Sequence, residues 1–239
     1  MKIKCVAAFA DLNKSSLVGK TAVMIDALRA SATIIAAVVG GCDRIVPAEE
    51  AGEAAAIKRI SEGNLLLCGE RGGTIVAGFD LGNSPLEYTQ SIVEDKVLLY
   101  STSSGSIAIK GLAEAEDVLI ATFINATAAA QKAYELERDI VLVCAGTDDA
   151  FSVDDILAMG CIINRLMQID PNIETDDLGK VALKMYEDAR MDLNAALEGS
   201  RQYEFLKELG MFDDLEYCVR EDMFNVVPVY KEGVIVKAD

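Results

Sequence analysis

Apolar residues fall along the chain in short blocks separated by longer mixed stretches. Apolar runs at residues 3–9, 21–25, 44–47, 65–68, 96–100, 117–121 and 139–143 have the length and near-continuous character of strands buried on both faces. The stretches between them have helical composition. Residues 27–39 form a polar loop and an apolar helix closed by Gly40 and Gly41, residues 48–62 are rich in Ala and Glu and stop at Gly63, and residues 86–94, 106–113, 126–137 and 153–167 follow, the last with Ser152 as its cap. Strands alternating with helices predict an α/β fold, layered αβα, with a largely parallel or mixed sheet. Residues 174–219 are helical in pattern almost throughout, with breaks near Gly199 and Gly210, so the C-terminal third is expected to be helical. Residues 225–230 and 233–237 predict a terminal hairpin, with Pro228 pointing to an edge position or irregular pairing. No repeat or linker interrupts the 239 residues, so a single domain over 1–239 is expected, at most as two closely packed lobes.

In open α/β sheets ligands bind beyond the carboxyl ends of strands. Four polar loops fall at such ends: residues 26–31, 69–84, 101–105 and 144–155. If all the strands run parallel, these loops share one edge. The second is the densest in chemistry. Residues 69–85 read GERGGTIVAGFDLGNSP, with five glycines, two acids and one arginine. Glycine lets backbone approach a ligand closely. Glu70 and Asp80 are oxygen ligands for a hard cation, and Arg71 is a fork for phosphate or sulfonate. Asn83 or Ser84 can cap the helix that Pro85 opens. A long glycine-rich loop closed by a Glu70–Arg71 salt bridge is the plainer reading of the same residues.

Charge and composition narrow the chemistry. Twenty-two basic residues against 39 acidic ones give a net charge of −17. That field repels nucleic acid and anionic membrane, so neither is expected as a partner, and an anionic ligand needs a local cation or arginine to reverse the sign. No apolar run is long enough to span a membrane. Six cysteines at 5, 42, 68, 144, 161 and 218, without a C-x-x-C pair and mostly in apolar runs, suit a reduced, cytoplasmic protein. The chain has no histidine. That removes Ser-His-Asp and Cys-His catalysis, phosphohistidine and histidine-bound zinc, and leaves carboxylates and hydroxyls that suit magnesium.

Asp26, Glu70 and Asp80 are the candidate magnesium ligands, with Asp154 and Asp155 behind them. The plainer role for Asp26 is an ion pair with Arg29, and for Asp154 and Asp155 that of acids at a helix start. Residues 101–105, STSSG, place hydroxyls and a glycine before a helix, where amide N–H groups attract an anion, although a capped helix start has the same appearance. The D-x-D pattern of phosphoaspartate hydrolases is absent, because Asp26 is followed by Ala27 and Leu28. The C-x5-R loop is absent too, because Ala150 stands six after Cys144.

These loops together resemble the 2-phosphosulfolactate phosphatase family. The matching segments are IDALRAS at 25–31 with Thr33 and Ile34, GERGG at 69–73, GFDLGNSP at 78–85, STSSG at 101–105, and CAG at 144–146 with Phe151, Asp154 and Asp155. A weaker match includes Ser200, Leu209, Gly210, Cys218, Asp222, Val227 and Pro228. The serine-rich loop departs from the family's usual TTNGT, with Ser104 at the asparagine. The resemblance implies an α/β, magnesium-dependent hydrolase that releases phosphate from 2-phospho-3-sulfolactate, the product lying on the route to coenzyme M. It implies Asp26, Glu70 and Asp80 around the metal and Asp26 or Asp154 as base or nucleophile. Arg29, Ser31, Arg71, Asn83, Ser84, Ser101, Thr102, Ser103, Ser104 and Gly105 are the implied contacts to a small anionic phosphate ester of a sulfonated hydroxy acid. Other 2-phospho acids and non-catalytic binding of a small anion are the alternatives. The acidic helical third is a candidate cover for the site or a homodimer interface.

Overall fold

The computed structural model describes residues 1–238; Asp239, the last residue of the expected domain, lies outside them. The strands are β1 (Lys2–Val6), β2 (Thr21–Ile25), β3 (Arg44–Pro47), β4 (Leu65–Arg71), β5 (Thr74–Ile75), β6 (Val97–Ser101), β7 (Asp117–Ala121), β8 (Ile140–Cys144), β9 (Glu174–Thr175), β10 (Pro228–Lys231) and β11 (Val234–Lys237). The helices are α1 (Ala30–Val39), α2 (Ala51–Ile60), α3 (Gln90–Val93), α4 (Gly105–Gly111), α5 (Ala126–Glu135), α6 (Val153–Ile169), α7 (Asp177–Ala189), α8 (Leu193–Leu197), α9 (Arg201–Glu208) and α10 (Phe212–Cys218). All strands belong to one mixed sheet in the order β5-β4-β6-β3-β11-β10-β7-β2-β8-β1-β9. The α/β class, the helical C-terminal third and the terminal hairpin are as the sequence predicts.

The hairpin is not at an edge. β10 and β11 sit in the middle of the sheet, β10 antiparallel to β7 and β11 antiparallel to β3. Pro228 is tolerated there because β7 pairs only with Val229 and Tyr230, so no ladder bond to β7 is asked of the proline. The hairpin divides the sheet into two parallel halves, β4-β6-β3 and β7-β2-β8-β1-β9. The β4-β6-β3 half is thereby inverted relative to the other.

The two halves face each other across α1. Ala22, Met24, Val118 and Ile120 from one half pack in the same core as Ile45, Leu98 and Tyr100 from the other, with Ala30, Ile34, Ala37 and Val38 of α1 between them. Every residue of α1 from Ala30 to Val38 is buried. A helix apolar all round belongs in such an interior layer. The outer face of the β7-β2-β8-β1 half is covered by α5 and α6 with the C-terminal helices packed on them, and a small third cluster joins the outer face of β6 and β4 to α2. The αβα layering therefore continues into a second sheet half and a further helix.

Two local expectations change. Residues 86–94 do not form one helix. A single 3-10 turn spans Pro85–Glu87 and α3 only four residues, because buried Tyr88 leaves helical geometry and donates its hydroxyl to the Gly82 carbonyl at 2.6 Å. The stretch from Gly69 begins as strand rather than loop: Glu70 and Arg71 complete β4, then Gly72 and Gly73, both at positive φ, turn the chain into β5.

Candidate active site

The inversion should carry the ends of β4 and β6 away from those of β2 and β8. The structure brings them together. Strands twist by about 20–25° each, so the five steps from β6 to β2 turn the direction by more than a right angle and swing the two sets of carboxyl ends toward one another. Residues from all four loops line a cavity of about 310 Å³: Asp26, Glu70, Thr102, Ser103, Gly146 and Asp154 among them.

Asp26 follows β2 directly. Its Oδ1 accepts the Ala30 N–H at 3.1 Å and its backbone oxygen accepts the Ser31 N–H, so it begins α1. The expected pair with Arg29 does not form. Among the described residues the one donor to the carboxylate is the Ala30 N–H on Oδ1; Oδ2 faces Gly105 so closely that a Cβ there would lie 2.8 Å away. Burial pushes the Asp26 carboxyl up to about 7 against the pull of the Ala30 N–H, and the charges of Asp154 and Glu70 add to the rise.

Glu70 is tied on both oxygens. Oε1 accepts the Ser103 N–H at 2.8 Å, and Oε2 accepts the Gly73 N–H at 2.8 Å and the Ser103 hydroxyl at 3.2 Å. It thus joins the β4–β5 turn to the serine-rich loop. The loop can run this close to β4 because Gly69 has no side chain: a Cβ would lie 1.9 Å from the Ser101 carbonyl. Thr102 and Ser106 cap each other at the start of α4, the Thr102 N–H bonding Ser106 Oγ at 3.0 Å and the Ser106 N–H bonding Thr102 Oγ1 at 3.1 Å. Ser104 lines the cavity one residue before α4.

Asp154 and Asp155 open α6 and are fully buried. Asp154 accepts the Leu28 N–H at 3.2 Å and the Ser152 hydroxyl. Burial pushes its carboxyl up to about 6, the Ser152 hydroxyl opposing. Asp155 accepts the Ala27 N–H at 2.8 Å and the Gly146 N–H at 3.0 Å, and so clamps the loop after β2 to the loop after β8. Burial, then the charges of Asp154 and Asp26, holds its carboxyl well above the usual range. Cys144 beneath them is fully buried and its thiol is pushed well up by burial, so it is a packing residue and not a nucleophile.

Arg29 lines the cavity but is committed elsewhere. Its side chain is 2% exposed and forms an ion pair with Asp214, itself 6% exposed, at 2.5 Å. Nη2 donates to the Gly73 carbonyl at 2.8 Å. Ser84 donates to the other oxygen of Asp214 at 2.6 Å, not to a helix amide. Asn83 lines the cavity, and its Oδ1 accepts the Tyr100 hydroxyl.

Six of the sequence candidates do not line this cavity: Ser84, turned to Asp214, Gly105 at the start of α4, and Asp80, Arg71, Ser101 and Ser31. Asp80 accepts from Lys58 and from the Leu67 N–H, both on the far part of β4 and on α2, which takes it out of any cation site with Asp26. Arg71 turns the other way, to the carbonyls of Glu49, Glu70 and Ser101 and to Ser101 Oγ. It makes no bridge to the Glu70 carboxylate. Ser101 is buried in that contact, and buried Ser31 accepts the Asp26 N–H on its Oγ. Side chains alternate across a strand, so Glu70 faces the cavity and Arg71 cannot.

Sequence reasoning missed Arg201 and Gln202, which line the cavity from α9; Asp148, which pairs with Arg201, is read from the sequence only as one of the acids flanking a helix start. Their signal was faint: Ser200 in the weak C-terminal match, and an acid in the loop after β8. Among the described residues no three Cys, Asp or Glu side chains converge closely enough to hold a metal ion by themselves. No described helix is long and apolar enough to cross a membrane.

The sequence matches the 2-phosphosulpholactate phosphatase family over residues 8–233. It is 38% identical to a protein of Clostridium acetobutylicum named "Probable 2-phosphosulfolactate phosphatase", over 99% of this chain and 100% of that one. Proteins of the same name from Clostridium beijerinckii and Clostridium tetani are each 38% identical, over 98% of this chain and 99% and 100% of theirs. With the match running through every cavity-lining loop, the chain belongs to the 2-phosphosulfolactate phosphatase family.

Proposed function

We propose that the chain hydrolyses 2-phospho-3-sulfolactate to 3-sulfolactate and phosphate. The observation that carries this reading is the meeting of Asp26, Glu70, Asp154 and Asp155, from separate strand ends, on one cavity. A donor set made only of oxygen suits a hard cation, and Mg²⁺ is ordinarily held by one or two carboxylates completed by water and substrate oxygens. Asp26, through its unpartnered Oδ2, and Glu70 would hold it. Bound there, the ion would draw charge from the phosphoryl oxygens as the phosphorus–oxygen bond breaks.

Asp154 is the base in this reading. A carboxyl near 6 accepts a proton effectively close to neutral pH. It takes the proton of a water attacking phosphorus, the bond from phosphorus to the C2 oxygen of sulfolactate breaks, and Asp154 passes the same proton to the departing oxygen, which leaves the carboxylate ionised again. Asp155 is given a structural role, because backbone amides fix both its oxygens, whereas one oxygen of Asp154 takes only the Ser152 hydroxyl, which can turn away when water binds. Unpaired cysteines fit a cytoplasmic enzyme, whose product would then supply coenzyme M synthesis.

Phosphate release from 2-phosphosulfolactate, measured with Mg²⁺ and after chelation, tests the proposal. Asp154→Asn should lower kcat by about 10²–10⁴-fold. Absence of release at any Mg²⁺ concentration would refute the phosphatase reading. Release indifferent to chelation would remove the cation and leave the hydrolysis.

A further inference from the structure

We infer that Arg201 recognises the substrate's sulfonate, exchanging its ion pair with Asp148 for that group. The choice of sulfonate rests on the phosphatase reading; the geometry does not. Five acids line the cavity, Asp26, Glu70, Asp148, Asp154 and Asp155, against two cations, Arg29 and Arg201. Arg29 is locked in a buried pair with Asp214, and drawing it away would leave that carboxylate uncompensated in the interior. Arg201 is different. Its side chain is 62% exposed and its ion-pair partner Asp148 is 77% exposed. Pairs so exposed are screened by water and contribute little, so Arg201 is released at small cost. Its planar fork then matches two oxygens of a sulfonate.

The position of Arg201 is nonetheless fixed relative to the acids. Gln202, next to it, donates to the Leu28 carbonyl at 3.0 Å, while the Leu28 N–H donates to Asp154. The start of α9 and the proposed base are therefore held by the same residue. Ser200 makes no cap bond and its buried Oγ has no partner, so the first amides of α9 beside Arg201 are not capped by it. On the other side, Thr147 and Ala150 close a tight turn by exchanging backbone bonds of 2.9 and 3.1 Å, and this turn presents Asp148, at φ +49°, to Arg201. Asp148 acts as a placeholder anion that the ligand displaces.

The test compares kcat/KM for 2-phosphosulfolactate with that for 2-phospholactate, the same ester without a sulfonate, in the intact protein. Arg201→Gln should reduce the ratio of the two by tenfold or more, equivalent to about 1.4 kcal/mol. Arg201→Lys should restore part of it, and Asp148→Asn should lower KM for the sulfonated ester. A ratio unchanged within twofold in Arg201→Gln overturns the inference. Calorimetric binding of 3-sulfolactate against lactate separates this from the phosphatase reading. If neither ester is hydrolysed but wild type prefers 3-sulfolactate and Arg201→Gln loses the preference, the phosphatase reading fails and Arg201 keeps its role. Failure of wild type to bind 3-sulfolactate in preference to lactate overturns the role as well.

Discussion

Replacing Asp214 by Ala should destabilise the protein far more than a typical surface change. Asp214 and Arg29 are both almost wholly buried, 2.5 Å apart, and Ser84 donates to the second carboxylate oxygen. Removing the acid leaves a guanidinium that cannot lose its proton facing only the Gly73 carbonyl and the Met211 sulfur. Breaking a buried pair from one side costs about 3–5 kcal/mol, and the orphaned Ser84 hydroxyl adds roughly 1 kcal/mol. Against a total stability of about 5–15 kcal/mol this is a large fraction. In a chain of this length it lowers Tm by roughly 8–24 °C. Urea unfolding of wild type, Asp214→Ala and the double variant Arg29→Met/Asp214→Leu makes the cause visible. If the cost is the stranded charge, the double variant recovers most of it, because apolar residues of similar volume replace buried pairs at little or no loss. A loss below 1 kcal/mol in Asp214→Ala, or a double variant worse than the single, refutes the reasoning.

Three further outcomes follow from the same geometry. Asp26 and Asp154 are raised to about 7 and about 6 by burial, so the folded chain holds protons there that the unfolded chain releases above about 4. Their contribution to stability is therefore present at low pH and is lost as pH rises toward 7; in chelator, Tm should rise on acidification from 7 to 5, and Asp26→Asn should flatten the slope. Gly105→Ala places a Cβ 2.6 Å from the Ala30 Cβ and 2.8 Å from Asp26 Oδ2; overpacking should cost about 1–3 kcal/mol by denaturant titration and reduce phosphate release, and wild-type values of both would refute the contact. Glu70→Gln sets an amide against the N–H donors of Ser103 or Gly73 and should reduce phosphate release by about 10–100-fold with a raised Mg²⁺ requirement, read from metal titrations.

The strands and most helices were legible because burial on both faces writes an unbroken apolar run, as in Thr21–Ile25 and Ile140–Cys144. Asp26, Glu70 and Ser103 were legible as candidates because polar residues just after such runs have few reasons to be there, whereas Asp154, at the start of α6, had a ready alternative as a helix-start acid. The convergence was reached from a premise that does not hold. The loops do not share the edge of a parallel sheet, since the hairpin at Pro228 inverts one half and accumulated twist restores the meeting. Nothing local announces that; Ile235 opposite Ile45 and Tyr230 opposite Val118 are pairings between positions more than 100 residues apart. Asp80 and Arg71 misled for a related reason: residue type is visible in sequence, but the face of a strand is settled by its register. Arg201 was hidden because α9 joins the cavity only through the packing of the C-terminal helices.

The charges of the cavity constrain how it can work at all. Asp214 answers Arg29 and Asp148 answers Arg201, which leaves Asp26, Glu70, Asp154 and Asp155 facing the incoming ester. One unpaired carboxylate 4 Å from a phosphate charge costs on the order of 4 kcal/mol at an effective dielectric constant of 20. The repulsion can be lifted by protons or by a divalent cation. Protons would fail the proposed chemistry, because the pH that neutralises Asp26, below about 7, approaches the pH that neutralises Asp154, about 6, and a protonated Asp154 could not serve as the proposed base. In the proposed reading, a cation held by Asp26 and Glu70 would cancel charge at one end of the cavity and would leave Asp154 ionised at neutral pH. The two pKa values, set by one shared burial, thus argue that substrate affinity and turnover rise together with Mg²⁺ above pH 7, and oppose each other on acidification without it.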